Sequence, residues 1–145
     1  GEQSDPGCAW CNGTPSILAA KLAVMQRGVA FDTEAVETMS RALDVMISCG
    51  SSKLDHFCCG TAGRLSILSS YVRCKLSFPS HSPSNDPYPK SLEQLFARSS
   101  TGMNFDLGWG RYTALPTFHQ GLAGIGYALL DHSTPGTLPQ IALFQ

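Results

Sequence analysis

The residues best suited to chemistry are six cysteines, at positions 8, 11, 49, 58, 59 and 74. Cys58 and Cys59 are adjacent, and neighbouring residues rarely reach the Cα separation and torsion of an unstrained disulfide. Two adjacent thiolates suit one soft metal ion instead. Zinc takes cysteine sulfur at about 2.3 Å in a tetrahedron, so Cys58 and Cys59 supply two corners and the distant Cys11 or Cys8 the rest. Two arrangements stay open on this count. Cys8, Cys11, Cys58 and Cys59 make a closed, structural site, whereas three cysteines plus water or substrate make an open, catalytic one. Cys49 and Cys74 lie in helical patterns and read as small buried hydrophobes. Six cysteines in 145 residues fall short of the roughly 8–10% of small disulfide scaffolds, so a reduced, cytosolic chain is expected. His56, two residues before Cys58, is a candidate catalytic acid or a group that orients a ligand, against the commoner use of a loop histidine as a solvated residue. Asp55 is expected to accept backbone N–H groups in a turn.

These groups need helices to position them. Thr14 to Arg27 carries Leu18, Leu22 and Met25 on one face, tolerates Pro15 in its first turn and stops at Gly28. Val36, Met39, Leu43, Met46 and Ile47 mark one face of a helix from about Thr33 to Cys49, capped by Asp32 or Thr33 and ended by Gly50. Leu65, Leu68, Tyr71 and Val72 keep helical spacing within Thr61 to Lys75. The stretch 77–90 holds Pro79, Pro83, Pro87 and Pro89 among polar residues and reads as a surface loop. A short helix over Ser91 to Ser99 follows, then a Gly-rich, aromatic stretch from Gly102 to Tyr112. A last helix runs from about His119 to His132, ahead of a tail with Pro135 and Pro139. Strand patterns are nearly absent, so the fold class is all-α.

Composition excludes several classes of partner. The chain has 10 basic and 11 acidic residues without a Lys/Arg cluster, which leaves no electrostatic footprint for nucleic acid or an anionic membrane. No apolar run approaches the roughly 20 residues that span a bilayer, and the N-terminus lacks a secretory pattern, so the expected location is cytoplasmic. The chain opens at Gly1 without an initiating Met, as a fragment of a longer protein does.

A weak internal repeat links the helix starts. Cys11-Asn-Gly-Thr-Pro-Ser-Ile-Leu, Cys59-Gly-Thr-Ala-Gly-Arg-Leu and His119-Gln-Gly-Leu-Ala-Gly-Ile-Gly each place a glycine (Gly13, Gly60, Gly121) at a helix start. Their spacing fits one helical hairpin per repeat. Stacked hairpins imply a solenoid or a closed α/α toroid, with the same corner of each hairpin gathered at one end. That corner carries the cysteines.

Three motifs resemble the LanC-like lanthionine cyclases, and more narrowly the C-terminal cyclase domain of class II (LanM-type) lanthipeptide synthetases. Trp10-Cys11-Asn12-Gly13-Thr14-Pro15 is similar to that family's Trp-Cys-x-Gly-x-Pro segment. Cys58-Cys59-Gly60 is similar to its Cys-His-Gly or Cys-Cys-Gly segment, and Gly121-Leu-Ala-Gly124-Ile-Gly126 to its final Gly-rich helix start. The order and spacing of the three also agree. The resemblance implies that residues 1–145 are the C-terminal portion of an α/α toroid within a longer synthetase, with Zn2+ at the mouth held by Cys11, Cys58 and Cys59. Cys59 stands where many members have His. The implied reaction adds a peptide Cys thiol across a dehydroalanine or dehydrobutyrine of the same dehydrated precursor peptide, closing a lanthionine or methyllanthionine ring in lantibiotic biosynthesis. The family's acid/base His and its partner Asp precede the first motif. Asn12 replaces the Tyr of many members, and Ser16 stands where Gly is usual; neither change removes a ligand.

Two other readings remain. One is a non-catalytic, zinc-stabilised helical module closed by Cys8, and the other is a truncated, inactive remnant. His119 reads as a helix-start residue packing beside Phe118, and Trp10 and Trp109 as core or cleft walls.

Overall fold

The computed structural model describes residues 7–74, 88–102, 104–108 and 115–143. Five α-helices and no strand form among them: α1 (Thr14–Gln26), α2 (Thr33–Cys49), α3 (Thr61–Arg73), α4 (Tyr88–Ser100) and α5 (Leu122–Ser133), with a 3-10 turn at Ile141–Leu143. The expected all-α class holds. No helix among the described residues is long and apolar enough to cross a membrane.

Local sequence sets most boundaries. The Asp32 carboxylate accepts the Ala35 N–H at 2.8 Å and starts α2, the usual capping geometry for an aspartate. Gly50, at φ 59°, ends the same helix in a conformation that side chains rarely adopt. Three expectations shift. The helix placed at Ser91 begins at Tyr88, since Pro89 in a first turn needs no N–H partner; 77–87, the rest of the expected loop, lies outside the described residues. The last helix begins at Leu122, because Phe118–Gln120 form the turn that precedes Gly121. Val36 and Val72, expected on buried faces, are 38% and 58% exposed. Trp109 lies outside the described residues, as do Lys75 and Phe144.

α3 is the spine of the structure. Nine of its 13 residues are buried, which explains why it lacks the one-sided apolar pattern of α2. Its Ile67 and Leu68 join Leu18 and Leu22 of α1, Met39, Leu43 and Met46 of α2, Phe57, and Ala142 and Leu143 of the tail in one core. On the other side Ala62 and Leu65 pack with Leu92 and Leu95 of α4 and Ile125 and Ala128 of α5. Polar ties fix these layers. Arg73 on α3 makes a two-pronged bond to the buried Asp131 of α5, Nη1 to Oδ1 at 2.7 Å and Nη2 to Oδ2 at 3.1 Å. The tail is fastened by the Tyr127 hydroxyl, which donates to the Pro139 carbonyl and accepts the Ile141 N–H at 3.2 Å. Trp10 Nε1 donates to the Ala142 carbonyl at 3.1 Å, so the N-terminal loop and the tail close on the same core.

Candidate metal centre

The three glycine-started helices are built alike. The first N–H of each donates to a carbonyl seven residues earlier: Thr14 to Gly7 at 2.9 Å, Thr61 to Leu54 at 2.9 Å and Leu122 to Leu115 at 2.8 Å. Each loop is thereby wrapped over its own helix N-terminus, where no side chain caps the helix. The wrap leaves no room for a side chain at Gly60, where a Cβ would overlap the backbone of His56. The repeat read from the glycines is therefore a repeat of backbone geometry.

Counting back from each glycine aligns the loops. Three residues before it stand Trp10, Phe57 and Phe118, whose rings pack against one another, edge-to-face for Trp10 and Phe57 with centroids 5.6 Å apart and tilted for Phe57 and Phe118 at 4.8 Å. Two residues before it stand Cys11, Cys58 and His119. The loops are stitched together at that level, Trp10 N–H donating to the Cys58 carbonyl at 2.9 Å and Cys58 N–H to the His119 carbonyl at 2.7 Å. Cys11 and Cys58 are thus neighbours because they hold the same place in adjacent loops, and Cys59 is the next residue along. His119 is exposed, with its ring 5.5 Å from that of Trp10, in line with a packing role beside Phe118.

The three sulfurs converge. Cys11 Sγ lies 3.7 Å from Cys59 Sγ, Cys59 Sγ lies 3.5 Å from Cys58 Sγ, and all three fall within 4.8 Å of one another. Sulfurs at about 2.3 Å from a tetrahedral zinc are separated by about 3.8 Å, so the observed spacing fits such an ion without rearrangement of the loops. Cys58 and Cys59 are half-buried and Cys11 is exposed, which leaves the outer side of the triangle open. Beside it, a cavity of about 170 Å³ is lined by Trp10, Cys11, Ser16 and Ala19.

Burial pushes the Cys58 thiol well above its ordinary range, and hydrogen bonding and charge repulsion with Cys11 and Cys59 push it further. Cys59 is raised too, chiefly by burial and further by Cys11, with its hydrogen bond to Cys58 and, more weakly, the Arg64 charge opposing. The folded, metal-free chain therefore holds these protons more tightly than the unfolded chain does. Its stability is fully present below the ordinary thiol pKa and declines as pH rises above about 8.5. Thermal melts of chelator-treated protein should show Tm falling over that range, and falling less for Cys58→Ala/Cys59→Ala. Parallel declines in the two proteins would contradict the assignment.

The surrounding groups hold Cys59 in place. Ser52 Oγ donates to the Cys59 carbonyl at 3.3 Å, and His56 Nδ1 accepts the Cys59 N–H at 3.3 Å. His56 is 4% exposed, so the solvated-loop reading is corrected. Its ring also hydrogen-bonds to the His119 backbone, and burial lowers its pKa against the opposing pull of Asp55 and Asp106. A neutral ring with Nδ1 as acceptor is the form that fits. Asp55 does accept a backbone N–H, that of Asp106 at 2.7 Å, but the partner is remote in sequence, and Asp55 also pairs with Arg98.

Cys8 is not available to the cluster. It is bonded to Cys49 in a disulfide, with their Cα atoms 6.5 Å apart, which overturns the four-cysteine site and the expectation that all six thiols are reduced. It also replaces the reading of Cys49 as a simple buried hydrophobe. Cys74 remains free and half-buried against the core, its sulfur accepting Gln26 Nε2 at 3.2 Å.

A profile of the family described as Lanthionine synthetase C-like protein matches residues 1–143. The chain belongs to that family. No curated protein and no solved structure matches the chain with significance. The match spans both the Cys11 loop and the Cys58-Cys59 turn, so the sulfur triangle of this lanthionine synthetase C-like chain lies wholly within the family region.

One residue bearing on the site was not singled out by type or spacing. Arg64, in the first turn of α3, reaches the carbonyls of Cys8, Cys49 and Gly50. Its sequence signal is a charge at a position that helical spacing turns inward.

Proposed function

We propose that this chain is the zinc-binding end of a lanthionine cyclase domain of the class II (LanM) type, the C-terminal part of an α/α toroid in a longer synthetase. The substrate is a dehydrated precursor peptide. The observation that carries the reading is the open triangle of Cys11, Cys58 and Cys59, whose sulfur spacing suits a tetrahedral zinc with one position left for a substrate thiol. When bound, zinc lowers the pKa of a peptide thiol and makes the thiolate available at neutral pH.

The chemistry on the peptide is an addition. The cysteine thiol gives up its proton, its sulfur bonds to the β-carbon of dehydroalanine or dehydrobutyrine as the alkene electron pair moves toward the carbonyl, and a proton is returned to the α-carbon. No atom is lost, so ring closure leaves the peptide mass unchanged. Cys11 holds the exposed edge of the site, and Trp10 and Ala19 wall the cavity beside it. His56 acts here by orienting the Cys59 backbone from a buried, hydrogen-bonded position, the second of the two roles its sequence position allows.

The test is spectroscopic. Cobalt(II) substituted for zinc reports thiolate coordination through its sulfur charge-transfer absorption. Adding a cysteine-containing peptide to the cobalt-loaded chain should raise that absorption, and the same peptide with serine in place of cysteine should not. No response to the thiol peptide would mean a closed, structural site and would overturn the cyclase reading.

A further inference from the structure

The Cys11 half of the metal centre sits on an irregular loop, and the Cys58-Cys59 half sits on the turn that starts α3. The Trp10 N–H bond to the Cys58 carbonyl joins the two directly, and a second tie reaches the Cys11 loop from α3. Arg64 makes that tie. Its side chain is almost wholly buried, with 6% of the residue exposed. It projects from the first turn of α3, five residues after Cys59. Nε donates to the Cys8 carbonyl at 3.0 Å, three residues before Cys11. Nη1 donates to the Gly50 carbonyl at 2.8 Å and the Cys49 carbonyl at 3.4 Å, at the C-terminal end of α2.

The chemistry of the acceptors favours an arginine. Carbonyls at a helix C-terminus lack intrahelical partners and carry partial negative charge. A planar guanidinium with donors in a fixed fork satisfies them and the loop carbonyl together, which the compact ammonium of lysine does less well. Cys8 and Cys49, whose carbonyls Arg64 gathers, are also the two residues joined by the disulfide. A covalent tie and a charged tie thus fasten the same loop to the same helix end.

We propose that Arg64 is a positioning residue of the metal centre, holding the Cys11 loop against the start of α3, the helix that follows the Cys58-Cys59 turn. This rests on the three-cysteine site proposed above. Arg64 touches neither metal nor substrate in this account and acts through the backbone on which Cys11 rides. It offers a fixed positive charge close to a cluster that carries a net negative charge when three thiolates surround a divalent ion, and that charge favours the loaded state.

The experiment compares Arg64→Met, Arg64→Lys and Arg73→Met in the full chain. Arg73→Met is the control, since it removes the charged tie to Asp131 at the far end of the same helix. Two quantities are read: zinc affinity by competition with a chromophoric chelator, and the yield with which dibromobimane bridges Cys11 to Cys58 or Cys59 in metal-free protein, mapped by mass spectrometry. Arg64→Met should weaken zinc about 10–100-fold and lower the bridging yield several-fold. Arg64→Lys should fall between Arg64→Met and wild type, and it decides the matter if Arg64→Met does not fold. Arg73→Met should lower the melting temperature while leaving affinity and bridging as in wild type. Wild-type affinity and bridging in a folded Arg64 variant would overturn the proposal, as would an equal loss in Arg73→Met. If wild type itself bound no zinc, the metal reading would fall, and the bridging yields would still decide whether Arg64 positions Cys11.

Discussion

Gly60→Ala is expected to destabilise the chain by about 3 kcal/mol or more, near the upper end of what a single added methyl costs. The methyl would collide with the carbonyl oxygen and amide nitrogen of His56 and with the carbonyl carbon of Asp55. All three are backbone atoms of the loop folded over the α3 N-terminus, so no rotamer change relieves the overlap. Relief requires opening the turn, which breaks the Thr61 N–H bond to Leu54 and displaces Cys59, the residue just before the glycine. Zinc loading should fall with stability. Gly126→Ala is the matched control. It lies within α5, its added Cβ meets nothing within 4 Å, and in a helix interior the change should stabilise by up to about 1 kcal/mol. Urea denaturation of the two variants checks the contrast, and similar midpoints would show that the wrapped loop is not as tight as described.

Asp55→Asn is expected to cost about 3–5 kcal/mol, the range for breaking one partner of a buried ion pair. The Asp55 side chain is fully buried, pairs with Arg98 of α4, and accepts the Asp106 N–H at 2.7 Å, while its own N–H donates to the Asp106 carbonyl at 2.8 Å. The amide keeps the shape of the carboxylate but loses its charge, leaving Arg98, whose side chain is only 29% exposed, without its counter-charge. Glu37 and Arg41 provide the comparison. They form an exposed pair one helical turn apart at 3.8 Å, and Glu37→Ala should leave the urea midpoint unchanged within error. An Asp55→Asn midpoint equally unchanged would remove Asp55 as an anchor between the α3 turn and 104–108.

The contrast between these two sites shows what the sequence makes legible. Gly13, Gly60 and Gly121 announce the repeat because a steric requirement at a helix start admits one residue type, and the convergence of Cys11, Cys58 and Cys59 follows once the loops are aligned on those glycines. Helices α1, α2 and α3 were legible for the same local reason, through apolar spacing and stop signals. What escaped were pairings over long sequence separation. The Cys8–Cys49 disulfide spans 41 residues, and no spacing rule favours it over pairing either cysteine elsewhere. The burial of His56 and the three-carbonyl grip of Arg64 depend on which loop lies over which helix end. Asp55 accepts a backbone N–H, as its place before the cysteine pair suggests, but the donor, Asp106, comes from a separate loop rather than from the same turn.

The most direct measurement is zinc per chain, by elemental analysis of protein purified without chelator, on wild type beside Cys58→Ala/Cys59→Ala. The account predicts about one zinc in wild type and none in the double variant, with both chains folded by circular dichroism. A folded wild type without zinc, or a double variant that keeps it, would contradict the claim that Cys11, Cys58 and Cys59 form a metal centre.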